Sequence, residues 1–206
     1  MRNYDYLIIH CLDTPLNFDF KLGLKATLSE WHMGAKDLPG GKVKCIGKIY
    51  NSRAELPDMS LNGVKLKDTH GNGWDRLGYS AGMLPNGNTV SLSNWNNDKF
   101  IDDLEITWGC PGFNSNSRHY ALTGGYDKNG NSKFDINKLP EFTDLYTKEM
   151  STSLEIFIKS QLIVNPKLKI GGHYQIATDG RTCPNFDVPK YLRSIGIPEI
   201  NIYGNK

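Results

Sequence analysis

The sequence predicts an α/β fold: a single domain with a mixed central β-sheet flanked by helices and a functional cleft at one edge. Three observations carry this. Residues 4–10 (YDYLIIH) and 168–173 (LKIGGH) are short apolar runs of the kind that form buried strands. Residues 140–162 place Phe142, Leu145, Tyr146, Leu154, Phe157, Ile158 and Leu162 on one helical face. The chain has 206 residues, enough for one well-cored domain and too few for two ordinary ones with a linker. Accordingly, residues 1–206 are expected to be one unit, with 33–72 as an insertion within it.

The elements follow in order. The first strand places His10 at its C-terminal end, where open α/β sheets put ligands; Cys11 should face away, because side chains alternate along a strand. Residues 22–32 (LGLKATLSEWH) set Leu24, Leu28 and Trp31 at helical spacing, and Gly34 closes that helix. Residues 33–72 contain Gly40-Gly41, two alternating stretches and several turn formers, which predict hairpins or an irregular excursion. Strands are expected at 77–84 and 89–95, joined by the Pro85-Asn86-Gly87-Asn88 turn, and another at 118–123, ended by Gly124-Gly125. Pro140 suits the first turn of the long helix. Beyond it, 168–173 delivers His173 to a strand end, and a last helix runs from Pro189 to Ile195.

The composition narrows the function classes. With 24 basic and 22 acidic residues the net charge is +2, and no basic cluster is dense enough for a nucleic-acid interface. No apolar run approaches the roughly 20 residues of a membrane helix. The N-terminal MRNYDYLIIHC has too short an apolar stretch for a secretion signal, so the chain reads as made in the cytoplasm without one. In that compartment Cys11, Cys45, Cys110 and Cys183 favour free thiols or metal ligation over disulfides. A soluble monomer is expected, with no nucleic-acid partner and no membrane insertion.

His10, His173 and Cys183 are residues of the types that zinc favours, and three protein ligands leave a fourth position open for catalysis. Each has a plain structural reading as well: two strand-end histidines satisfied by backbone and one small buried cysteine.

The words LIIHC (7–11), SEWH (29–32), GWDRLGYS (73–80), PNGNTV (85–90), NSRHYALTGGYD (116–127), GGHYQIA (171–177) and CPNFD (183–187) stand in one order over most of the chain. Together they resemble the zinc-dependent N-acetylmuramoyl-L-alanine amidases, the family of the phage amidase-type lysozymes and the peptidoglycan recognition proteins. The resemblance implies Zn²⁺ held by His10, His173 and Cys183. It also implies peptidoglycan as substrate, with hydrolysis of the amide between N-acetylmuramic acid and L-alanine. Tyr79 stands where the family carries an active-site tyrosine, and Arg181 where phage amidases carry a lysine. An arginine there can act electrostatically but not by proton transfer. Thr182 is the nearby fallback, and Tyr79 the candidate acid for the leaving amine. The implied setting is a phage-type endolysin, released to the cell wall through a holin-type lesion. Other readings are a peptidoglycan-binding or polymerase-contacting module of the same fold, and a stem-peptide endopeptidase.

The chain departs from the pattern in places. The stretch from His173 to Cys183 is two residues longer than in phage lysozymes, with Thr178-Asp179-Gly180 as the expected bulge. WGCPGF (108–113) lacks a histidine that phage enzymes often have, and His119 falls at a small-residue strand position, not as its replacement. His32 is expected to be supporting or structural, and His70 a solvated loop residue. DKNGNSKFD (127–135) imitates a calcium loop, but Ser132 stands where that loop needs glycine, so a turn is expected. Trp74, Trp95 and Trp108 read as partly buried core.

Overall fold

The central sheet is built from Tyr6–Cys11 (β1), Ala81–Met83 (β2), Thr89–Ser91 (β3), Ser117–Leu122 (β4) and Lys169–Gly172 (β5) in the order β5-β1-β4-β2-β3. β1 pairs in parallel with β4 over six residues and with β5 over four, and β4 pairs in parallel with β2. Five of the six β1 residues and all six β4 residues are buried, as parallel strands covered on both faces require. Only β3 returns antiparallel. It does so through the expected turn: Leu84 N–H donates to the Asn88 carbonyl (2.9 Å), and Gly87 takes φ 81°. A Cβ at Gly87 would also lie 2.5 Å from Ser153 Oγ, so glycine is required there twice over.

The computed structural model describes residues 1–177 and 179–204, so Thr178 of the expected bulge lies outside them. They divide into two compact units, Met1–Phe18 with Tyr79–Lys206, and Asp19–Gly78. The α/β class and the five-stranded mixed sheet agree with the sequence reading. Among the described residues no helix is long and apolar enough to cross a membrane.

In the larger unit the segment 140–162 is not one helix but two, Phe142–Leu145 and Lys148–Val164. The reason is local. Thr147 is extended and accepts the Met150 N–H on its hydroxyl (3.1 Å), an N-cap that restarts the helix. Tyr146 is extended too, and its hydroxyl donates to the Pro184 carbonyl (2.8 Å). The apolar stripe nevertheless buries Phe142, Leu145, Leu154 and Ile158 in the main core with Leu7, Ile9, Tyr120 and Ile170. The last helix, Val188–Ser194, carries Pro189 in its first turn. Arg118 is the largest fully buried side chain: it pairs with buried Glu105 (3.0 Å) and lies 4.4 Å above the Tyr4 ring and 5.1 Å from that of Trp95.

The smaller unit contains the helix Leu24–Met33 and the antiparallel strands Lys36–Asp37, Val43–Cys45 and Lys48–Tyr50, with a hairpin pairing Ser60–Leu61 and Val64–Lys65. The expected excursion is therefore made of hairpins, but it has a small core of its own: Ala35, Val43, Cys45, Leu56 and Leu66. His32 is structural. Its ring stacks on Trp74 at 5.0 Å and its Nδ1 accepts the Gly78 N–H (3.1 Å). A Cβ at Gly78 would come within 3.1 Å of that ring. Burial pushes the His32 pKa down to about 4. His70 is exposed, as expected, with its Nδ1 3.0 Å from Arg53.

Candidate metal centre

β1 carries His10, 1% exposed, opposite Ala121 of β4. His173 is not the last residue of β5 but the first of the short helix His173–Ile176, immediately after it. Cys183 is drawn to the same place by backbone: Tyr174 N–H donates to the Cys183 carbonyl (2.9 Å). A Cβ at Gly172 would lie 2.9 Å from Pro184 Cδ and 2.8 Å from the Tyr174 ring, so a side chain there would displace this segment. Asn185 completes the turn at φ 73°; its N–H donates to the Thr182 carbonyl (2.7 Å) and its Nδ2 to the Gly125 carbonyl (3.0 Å).

The result is a cluster. One ligand atom each from His10, His173 and Cys183 lies within 4.8 Å of the other two. Cys183 Sγ is 3.9 Å from His10 Nδ1. A tetrahedral zinc ion with bonds of about 2.0–2.1 Å to nitrogen and 2.3 Å to sulfur holds such a pair about 3.6 Å apart. His173 Nε2 is buried with no hydrogen-bond partner among the described residues, an expensive arrangement for a polar atom unless something else takes its lone pair or proton. Donor set, spacing and the orphaned nitrogen fit a zinc ion.

The electrostatics are those of a dry site. Burial lowers the His173 pKa, as does Arg181, while Asp179 opposes them, so the ring is held neutral and ready to donate a lone pair. Contact with the Cys11 thiol and burial push the Cys183 thiol well above its ordinary value; a cation held at the cluster pulls the other way and deprotonates a coordinating thiol. Cys183 Sγ also accepts the Cys11 N–H at 3.2 Å. The Cys11 side chain belongs to the main core.

Tyr79 reaches the site, its ring centroid 5.1 Å from that of His10. Its hydroxyl is held protonated, first by burial and then by the neighbouring thiols. Arg181 sits on the exposed loop before Cys183, with a side chain 69% exposed, and its Nε pairs with Asp179 (2.9 Å). Its charge is felt at His173, Cys183 and Tyr79, but the Asp179 carboxylate and water share it.

His119, which the sequence places only as a strand residue, lies against this cluster. His119 is fully buried, its Nδ1 is 3.0 Å from His10 Nε2, and burial together with His173 brings its pKa down to about 3. The signal was available: His119 and Ala121 share a face of β4, and Ala121 faces His10. In the larger unit, Leu16, Asn17, Tyr126, Asp127, Lys128 and Leu145 line a cleft of about 390 Å³. Asp127 is engaged there as a turn residue, its Oδ1 accepting the N–H groups of Asn129 and Asn131 (both 2.8 Å). Trp95 packs edge-on against Phe157 and Tyr120, and Trp108 is 37% exposed.

No protein-family model matches the sequence, and no curated protein matches it. The fold does match solved structures. Bumblebee PGRP-SA superposes with a TM-score of 0.55 at 14% identity, over 100% of this chain and 87% of that one. The N-acetylmuramoyl-L-alanine amidase LysC from Clostridium intestinale gives 0.54 at 12% identity, over 96% and 88%. The endolysin of the Thermus scotoductus bacteriophage Ph2119 gives 0.50 at 12% identity, over 95% and 86%. The structural neighbours are thus phage and bacterial amidases and PGRPs, and at these identities the likeness is one of fold.

Proposed function

We propose that this chain is a zinc-dependent hydrolase that cleaves the amide between N-acetylmuramic acid and L-alanine in peptidoglycan, as a phage-type endolysin does. One observation carries the reading: the cluster of His10, His173 and Cys183 ligand atoms, all within 4.8 Å of one another. The fold shared with amidases supports it. Three ligands leave a fourth position, which is the mark of a catalytic rather than structural zinc site. Zinc bound there supplies Lewis acidity toward a carbonyl and brings the pKa of a water down toward about 7.

The rest falls to the protein. His10 and His173 would hold the ion through ring nitrogens and Cys183 through its sulfur as a thiolate. Tyr79 keeps its phenolic proton in this buried setting and can present it to the oxygen where negative charge develops, or pass it to the leaving amine. Arg181 adds a positive charge from the rim, weakened by Asp179.

A peptidoglycan-binding module is the second reading, favoured by the fold likeness to bumblebee PGRP-SA. Digestion of purified sacculi by the full chain, with products identified by mass spectrometry, separates the two. Free peptides beginning at L-alanine, abolished by a chelator and restored by zinc, support the amidase. Retention on sacculi without release supports the binding module, and muropeptides cut elsewhere overturn the bond assignment.

A further inference from the structure

The buried imidazole of His119 has no part in the reading above, and its surroundings do not explain it as packing. Its backbone N–H donates to Ser80 Oγ (3.1 Å), which the sheet position alone accounts for. Its ring is different. Nδ1 lies 3.0 Å from His10 Nε2, while Nε2 is buried without a hydrogen-bond partner among the described residues. An apolar side chain in that place would avoid the orphaned nitrogen, whose burial without a partner is unfavourable.

The geometry of His10 gives the ring a purpose. Its Nδ1 faces Cys183 Sγ at 3.9 Å, and its Nε2 faces His119. A neutral imidazole has one proton and one lone pair, so a partner that accepts from Nε2 leaves the Nδ1 lone pair for a metal. Metal-bound histidines commonly have such a partner, and losing it costs about 10–100-fold in metal affinity.

We propose that His119 is a positioning residue for the zinc site: its Nδ1 accepts the His10 Nε2 proton, fixing the His10 tautomer and ring orientation so that Nδ1 coordinates. The inference rests on the reading of His10, His173 and Cys183 as zinc ligands. The acceptor here is a second buried imidazole.

The test uses the full chain and zinc alone as probe. Zinc dissociation constants come from competition with a chromophoric chelator, and melting temperatures from the zinc-free form. His119→Leu keeps the bulk and removes the acceptor; His119→Asn puts an amide oxygen where Nδ1 was. The expected result is a loss of about 10–100-fold in zinc affinity for the leucine variant, most of it recovered in the asparagine variant. The zinc-free leucine variant should melt no lower than wild type, because an orphaned polar atom has gone. Equal zinc affinity in wild type and His119→Leu, or equal losses in both variants, overturns the proposal while leaving the zinc site standing. A wild-type chain that binds no zinc overturns both. If the leucine variant does not fold, nitrogen NMR of the zinc-loaded wild type decides: a proton on His10 Nε2 supports the proposal, and coordination through Nε2 overturns it.

Discussion

Cys183 Sγ stands 3.9 Å from His10 Nδ1 although 173 positions separate the residues in sequence. The contact depends on the Tyr174 N–H bond to the Cys183 carbonyl, which ties the incoming segment to the helix that carries His173. Replacement of Cys183 by alanine therefore removes a ligand without disturbing the strand that carries His10. Zinc affinity should fall by more than the roughly 10–100-fold typical of losing a supporting residue, and hydrolysis of sacculi should be abolished. Full activity in this variant would contradict the ligand assignment.

Tyr79 lies against His10 with ring centroids 5.1 Å apart and keeps its proton. Tyr79→Phe preserves the ring and removes the hydroxyl. If that hydroxyl serves the developing oxyanion, kcat should drop about 10²–10³-fold with zinc affinity unchanged. An unchanged kcat would reduce Tyr79 to a packing residue.

Arg181 is mostly exposed and paired with Asp179, so its effect should be modest. Arg181→Ala is expected to lower kcat/KM about tenfold, near 1.4 kcal/mol, and Arg181→Lys to restore most of it, since only charge is required. Raising the salt concentration should narrow the gap between wild type and the alanine variant. A lysine variant as poor as alanine would show that the guanidinium fork itself matters.

His32 gives a pH dependence of stability. Unfolded, it titrates near 6.5; folded, burial holds it at about 4. Between those values the unfolded chain binds the extra proton, so this contribution is full above pH 6.5 and is lost as pH falls toward 4. The whole loss is on the order of 3 kcal/mol, at about 1.4 kcal/mol for each pKa unit. His32→Asn keeps an acceptor for the Gly78 N–H. Urea unfolding at pH 7.5 and 4.5 should show a smaller pH effect in that variant; an equal effect would assign the dependence elsewhere.

Much of the fold was legible because apolar period and turn chemistry agree locally. β1 is an apolar run broken only at His10, and the 85–88 turn needs its glycine. The break in the long helix is not legible, because the apolar stripe runs on from Tyr146 to Leu154, whereas the break is made by a cap on Thr147 and a distant carbonyl at Pro184. The candidate ligands could be named from residue type and resemblance, but their convergence rests on hydrogen bonds across the chain. The place of His119 is hidden for the same reason: it lies in strand register, which sets Ala121 opposite His10 and brings the next residue on that face onto the His10 ring. Buried pairs such as Arg118 with Glu105 are equally silent in sequence, since neither residue belongs to an apolar pattern.

Zinc-edge X-ray absorption of the zinc-loaded full chain tests the metal centre most directly. The account predicts one sulfur at about 2.3 Å and two imidazole nitrogens at about 2.0–2.1 Å, with one further light atom completing four-coordination. Stoichiometric zinc with no sulfur in its shell, or no zinc retained by the folded chain, would contradict it.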